Sequence, residues 1–342
     1  MNSFFNILKT LCELDGPSGN ENAVRDYILS QINEYCDAKV DNMGNIIAFK
    51  KGNNTPKYKV MLDAHMDEVG VIITSITGDG FLKFQTVGGI KTESLLCKKV
   101  RFGKIVGIIG AKPIHQSSAD ERKNLPSVDS LYIDIGAKNE ESAKEVVSIG
   151  DIGTFATHWQ DLTEDVFCAK AVDDRVGCAA LINILKQPAE YDFYATFTVG
   201  EELGLRGAKT ATYTVSPDFA IVLECTTAAD IHKNSGNKVA EVGNGVAVSF
   251  MDSATLYDRD LYNFTLDLAK SKNIKVQTKT AATGGNNAGA IHLTKGGVRT
   301  ITLSLPGRYI HSSATLGSKT DVTAEYELAS ALLSELAKGN FN

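Results

Sequence analysis

Two stretches of this 342-residue chain, Phe193 to Val199 and Asp218 to Leu223, are nearly continuous apolar runs of strand length. A strand with one face in water alternates apolar and polar residues, so runs without alternation belong to a sheet covered on both faces. Tyr58 to Leu62 and Arg299 to Leu305 read as further strands. Stripes at helical spacing accompany them: Val176, Ala180, Leu181, Ile184 and Leu185, then Val322, Tyr326, Ala329, Leu333 and Leu336. This combination predicts an α/β fold, a mixed central sheet with helices on both faces.

Between about residues 71 and 164 the pattern is different. Short β-branched and aromatic runs are broken by Gly78, Gly80, Gly88, Gly89, Gly103, Gly107, Gly110, Gly136, Gly150 and Gly153, which predicts a small β-barrel or sandwich. The economical division is an α/β domain made of residues 1–70 and 165–342, with a β domain inserted at 71–164. Upstream, the segment from Met1 to Gly16 reads as an amphipathic helix, not a signal peptide, because Lys9 and Glu13 interrupt its apolar part. Ser18 and Glu21 have capping-box spacing ahead of the periodic run Val24, Tyr27, Ile28 and Tyr35. Asp41-Asn42-Met43-Gly44 predicts a hairpin turn between two short strands.

Composition removes several function classes. With 35 Lys and Arg against 41 Asp and Glu the net charge is −6, and no basic run interrupts it, so nucleic acid is not an expected partner. The most apolar stretches fall well short of the ~18 residues of a spanning helix; no membrane segment is expected, and a cytoplasmic location is. Six cysteines lie scattered without a C-x-x-C pair, the pattern of reduced thiols in that compartment.

The residues able to do chemistry fall at the downstream ends of the predicted strands or in the loops beyond. His65 follows the Tyr58 strand, Glu201-Glu202 the Phe193 strand, Glu224 the Asp218 strand and His311 the Arg299 strand. Open α/β sheets bind ligands along that edge. Asp173-Asp174 stands where the Val176 helix begins and can reach the same rim. Taken singly, a His is most often structural, Glu-Glu a solvated pair and Asp-Asp a helix cap. Together, Asp173, Glu202 and Glu224 in one cleft would repel one another unless cations neutralised them. Two divalent ions balance these three carboxylates and one hydroxide, and two imidazoles complete an oxygen and nitrogen set suited to zinc, cobalt or manganese.

Four segments carry a family resemblance: Ala64-His65-Met66-Asp67-Glu68-Val69-Gly70, Ala171 to Gly177, Glu201 to Ala208 and Arg308 to Ser312. In that order they resemble the signatures of the dinuclear metal aminopeptidases, the family of glutamyl, deblocking and tetrahedral aminopeptidases. The likeness implies a zinc-exopeptidase-like fold and hydrolysis of N-terminal residues from short peptides. It further implies two divalent metal ions per subunit, His65 and Glu224 on one, Glu202 and His311 on the other, and Asp173 bridging. Glu201 would be the general base, and Asp67 would accept the His65 imidazole N–H. Adjacent residues of an extended segment face opposite ways, which suits different work for Glu201 and Glu202. The inserted domain would serve dimerisation, with dimers joining into a hollow shell.

Other readings stand beside this one. An endoglucanase-type glycoside hydrolase would use paired carboxylates, but adjacent Glu201 and Glu202 do not easily flank a glycosidic bond, and neither His would have work. A small-molecule N-deacylase would use the same metal centre with another pocket, and a scaffold without catalysis would keep only the fold. Gly284-Gly285-Asn286-Asn287 departs from the Gly-Gly-Thr-Asp frequent in the family, a lost carboxylate near the cleft that leaves substrate preference open. His115, His158, His232 and His292 read as structural, with His115 placed toward a subunit contact.

Overall fold

The computed structural model of the protein describes residues 2–119, 121–231 and 238–341; His232 lies outside them. In chain order the first elements are α1 (Asn2–Glu13), α2 (Asn22–Ile32), β1 (Asp37–Val40), β2 (Ile46–Lys50) and β3 (Val60–His65). Six barrel strands follow: β4 (Gly70–Ile76), β5 (Leu82–Val87), β6 (Lys99–Phe102), β7 (Ile105–Gly110), β8 (Tyr132–Asp134) and β9 (Ile152–Phe155), with α3 (Glu140–Lys144) between the last two. Then come β10 (Gln160–Asp161), β11 (Val166–Ala169), α4 (Val172–Lys186), β12 (Phe193–Thr198), α5 (Arg206–Val215) and β13 (Phe219–Thr227). The chain closes with β14 (Val246–Ser249), α6 (Arg259–Ser271), β15 (Val276–Lys279), α7 (Ala288–Ile291), β16 (Arg299–Gly307), β17 (Thr315–Ser318) and α8 (Lys319–Lys338).

The central sheet runs β1-β2-β12-β3-β13-β16-β14-β15. Its middle, β12, β3, β13 and β16, is parallel, and it turns antiparallel outward at β2 and at β14. The two apolar runs that fix the fold class are β12 and β13, side by side with β3 in between. Helices α4 and α8 pack on one face with α1 and α2 against α4, and α5 and α7 pack together on the other. All six residues of β3 and the first eight of β13 are buried, as strands covered on both faces must be.

The inserted strands close as a barrel, β4-β5-β8-β7-β6-β9, around its own core of Val71, Phe84, Ile109 and Ile133. This resolves the expectation of barrel or sandwich in favour of a barrel. Strand β10, within 71–164, pairs with β11, which pairs with β17 in a separate three-stranded sheet. Six cysteines are free thiols, and among the described residues no helix is long and apolar enough to cross a membrane.

Two local expectations are overturned. Ser18 and Glu21 form no capping box: the α2 N-cap is Glu21 without a side-chain cap. Ser18 Oγ instead donates to Asp67 Oδ2 at 2.6 Å and Glu21 Oε1 accepts the Gly200 N–H, so tertiary partners outcompete the local cap. Tyr35 lies past the end of α2 and is largely exposed. The hairpin is as the sequence suggests, β1 antiparallel to β2, with Asp41 Oδ1 accepting from the Met43, Gly44 and Asn45 backbones.

Candidate metal centre

The downstream edge of the parallel strands gathers the chemical groups. His65 is the last residue of β3, Glu201 and Glu202 follow β12, and His311 sits in the loop after β16. Glu224, expected beyond its strand, lies inside β13 opposite Ser304, because that strand continues to Thr227. Asp173 opens α4 at a kink where Asp173 and Asp174 are not helical. Asp174 does act as a cap, accepting the Gly177 N–H, and its second oxygen accepts the His65 N–H.

Two triads result, His65–Asp173–Glu224 and Asp173–Glu202–His311, each with its ligand atoms within 4.8 Å of one another. Asp173 belongs to both, with one oxygen in each. Its Oδ1 is 3.3 Å from His65 Nε2 and its Oδ2 is 3.4 Å from His311 Nε2. Glu224 Oε1 is 3.4 Å from His65 Nε2, and Glu202 Oε1 is 3.1 Å from His311 Nε2. Both rings carry a carbonyl partner at Nδ1: the Asp67 carbonyl for His65 and the Gly89 carbonyl for His311, each at 3.0 Å. A ring donating through Nδ1–H is the tautomer whose Nε2 lone pair is free to ligate.

The expected partner of His65, the Asp67 carboxylate, is the more distant one at 3.4 Å. Its stronger contacts are elsewhere. Asp67 Oδ1 accepts the Glu201 N–H at 3.0 Å and Oδ2 accepts the Glu202 N–H at 3.1 Å together with the Ser18 hydroxyl. Asp67 therefore clamps the backbone of the Glu201-Glu202 turn. That segment is not extended as assumed: the Gly204 and Leu205 N–H groups both donate to the Glu201 carbonyl. Gly204 takes φ 104° to close the turn, and Gly207 brings α5 against Val199 where a side chain would collide.

The electrostatics show a cluster short of positive charge. Burial lowers the pKa of both imidazoles, but the carboxylates outweigh it: Glu224, Asp173 and Asp67 raise His65 well above its usual value, and Asp173 and Glu202 push His311 up to about 11. Burial with the Asp173 charge pushes Glu224 up to about 8. Burial likewise raises Glu202, and burial with the Glu224, Glu202 and Asp67 charges raises Glu201 well above the carboxylate range. Of the carboxylates in the two triads only Asp173 is lowered, its two imidazole contacts overcoming burial. Among the described residues Glu224 Oε2 is buried without a hydrogen-bond partner, and such an orphan in a set of carboxylate oxygens and imidazole nitrogens fits a divalent cation. Glu201 lines the cleft beside Asp173 and Glu224, and its carboxylate accepts no hydrogen bond from the described residues.

The remaining histidines hold other positions. His158 Nδ1 meets Glu13 Oε2 at 2.6 Å, and His292 Nδ1 meets the Ala288 carbonyl; His115 is exposed in a short 3-10 turn. Asn287 points into the sheet, where its Nδ2 donates to Asp63 Oδ2 and Thr198 Oγ1. Gly89 and Asp67's clamp were missed in the sequence: a backbone carbonyl has no residue signature, and the clamp joins segments 134 residues apart.

A parallel-centred sheet with an inserted barrel and this edge of carboxylates and imidazoles defines a hydrolase of the peptidase class. The M42 glutamyl aminopeptidase model matches residues 44–328, and the chain belongs to that family. It is 34% identical to the lysyl aminopeptidase of Pyrococcus furiosus over 346 residues, 98% of each chain. The TET aminopeptidase of a marine sediment thaumarchaeote superposes with TM-score 0.94 at 32% identity, covering 99% of this chain and 100% of that one. The Pyrococcus horikoshii TET1 peptidase, which can assemble into a tetrahedron or a large octahedral shell, gives 0.84 at 31% identity over 96% and 98%.

Proposed function

We propose that the protein is a two-cation aminopeptidase that removes the N-terminal residue of short peptides. The observation that carries this is Asp173, whose two carboxylate oxygens face separate triads as a bridging ligand would. His65 and Glu224 would hold one cation, and Glu202 and His311 the other, from among zinc, cobalt and manganese. When bound, such a pair polarises the scissile carbonyl and makes water a stronger nucleophile at neutral pH.

The protein's own groups do the rest. Glu201 takes the proton of the attacking water and returns it to the leaving amine; burial and its neighbours raise its proton affinity, as a carboxylate base working near neutrality requires. Asp67 and Ser18 hold the turn that presents it. The Asp67 and Gly89 carbonyls keep His65 and His311 aimed. Glycoside hydrolysis would leave both histidines idle, and here the Nε2 atom of each lies within 3.4 Å of two carboxylates.

The barrel would pair subunits, and pairs would build a shell like that of the TET1 peptidase, admitting only short peptides; the chain would work in the cytoplasm. The family description names glutamyl residues and one relative lysyl residues, so membership leaves the preferred side chain open. Metal analysis of purified protein is expected to give near two ions per chain, with loss of aminoacyl-p-nitroanilide hydrolysis in chelator and recovery with Zn²⁺, Co²⁺ or Mn²⁺. Full activity after exhaustive chelation would refute the reading.

A further inference from the structure

Two of the strands that carry the candidate ligands separate just before the ligands themselves. Strands β3 and β13 pair in parallel from Val60 opposite Phe219 to Asp63 opposite Val222, and there the pairing stops. Continued for two residues, the same register would set His65 directly opposite Glu224. Instead β3 stays with β12, where His65 lies opposite Thr198, and β13 stays with β16 as far as Thr227 opposite Gly307. A backbone N–H buried at such a split needs a partner from outside the ladder.

Both ligands have one, and both partners are carboxylates from helices on the same face of the sheet. The His65 N–H donates to Asp174 Oδ2 at 3.2 Å, from the start of α4, and the Glu224 N–H donates to Glu325 Oε1 at 3.4 Å, from α8. Asp174 also caps its own helix through the Gly177 N–H. Glu325 has no such second task. It is fully buried among Val322, Leu328, Ala329 and Leu332 in the stripe that packs α8 onto the sheet, a position where helical periodicity calls for an apolar side chain. Its Oε2 is buried without a hydrogen-bond partner among the described residues, and the side-chain charges acting on it are the anions Glu224 and Asp321. A carboxyl kept in that place lowers stability where an apolar residue would not. What it supplies is a fixed acceptor for the backbone of a candidate ligand.

We propose that Glu325 is a positioning residue: its Oε1 holds the Glu224 backbone where β3 and β13 part, so that the Glu224 carboxylate meets the same cation as His65. The proposal rests on the two-cation reading for the cation, and on the hydrogen bond at the split for the part Glu325 plays.

Calorimetric titration of metal-free protein with Co²⁺, with the visible Co²⁺ spectrum followed alongside, reads the two binding events. Glu325→Met removes the acceptor at similar volume and is expected to weaken one event about 10- to 100-fold, as loss of an outer hydrogen bond to a metal ligand does, and to leave the other within about threefold. The melting temperature of metal-free Glu325→Met is expected to stay at the wild-type value or rise, because the N–H left without an acceptor is offset by removal of a buried carboxyl whose second oxygen had no partner. Glu325→Gln, whose amide oxygen still accepts the Glu224 N–H, is expected to keep the wild-type affinities. Glu224→Gln is expected to weaken the same event, and adding Glu325→Met to it to weaken that event no further. Should the Met side chain prevent folding, Glu325→Ala is read in its place. Affinities unchanged in the variant without an acceptor mark a residue serving the fold alone and overturn the proposal. So does a loss in Glu325→Gln as large as in Glu325→Met, or a further loss in the Glu224→Gln background. If Glu224→Gln itself binds Co²⁺ as wild type does, the two-cation reading falls and takes the proposal with it; if Glu224→Gln loses one event and Glu325→Met loses none, Glu325 alone is refuted.

Discussion

Replacing Asp67 by Asn tests the clamp on the Glu201-Glu202 turn while changing almost no volume. The carboxylate accepts the Glu201 N–H on one oxygen and the Glu202 N–H on the other, within a fully buried site. Whichever way the new amide is turned, its NH₂ confronts one of these N–H groups, and that buried donor is orphaned at about 1–3 kcal/mol. The surviving bond falls from charge-assisted to neutral, about another 1 kcal/mol, for a total of about 2–4 kcal/mol. The turn then shifts, and Glu201 with it; a displacement near 1 Å predicts a loss of about 10²-fold in kcat. Burial works against the Asp67 charge, but the His65, Ser18 and Glu201 contacts hold its pKa below the usual value. A depressed carboxylate contributes stability that is full above its unfolded pKa of ~4 and lost as pH falls through the folded value, so the difference between the two proteins narrows in acid. Urea unfolding at pH 7 and at pH 3.5, with kcat on Leu-p-nitroanilide, measures all of this. An Asn variant within 0.5 kcal/mol of wild type and within twofold in kcat, against the ~2 kcal/mol worked above, would show that Asp67 does not hold the turn.

Glu201→Gln is expected to retain metal, by elemental analysis, and to lose about 10²- to 10⁴-fold in turnover; near-normal kcat removes Glu201 as the base. The raised values of His311 and Glu224, about 11 and about 8, give metal-free protein stability that is present in acid and lost as pH rises through them, since each folded pKa lies above its unfolded one. Cations must displace those protons. The melting-temperature gap between metal-loaded and chelated protein is therefore expected to widen from pH 6 to pH 8.5, by scanning fluorimetry, and a gap that narrows contradicts the assignment. Arg175, fully buried on the Met66 and Leu11 carbonyls and beside Glu68, is expected to cost about 3–5 kcal/mol when changed to Met, because it leaves a buried carboxylate and carbonyls short of donors. Denaturant titration reads that loss, and a variant as stable as wild type refutes it.

The sequence disclosed those parts of the molecule governed by local rules. Continuous apolar runs named β12 and β13, glycine spacing named the inserted strands, and Asp41 to Gly44 named the first hairpin, since each depends on neighbours a few residues away. The ligand-type residues were also legible, because His65, Glu201-Glu202 and His311 stand at or beyond strand ends. What stayed hidden depends on distance along the chain. Ser18 and Glu21 carry a local capping pattern but serve Asp67 and Gly200, 49 and 179 residues off. Glu201-Glu202 looked like a continuation of β12, and a turn closed by Gly204 intervenes.

The Gly89 carbonyl that steers His311 belongs to the link between β5 and β6. Thr154 of β9 donates likewise to Glu68, three residues beyond His65. A trimmed version of this protein, cut at the neck of the barrel to give a smaller enzyme, would take away the stop against which one histidine rests and a rivet beneath the other. The appended module is thus part of the instrument's own frame, and the chemistry at the sheet's rim cannot be carried off without it.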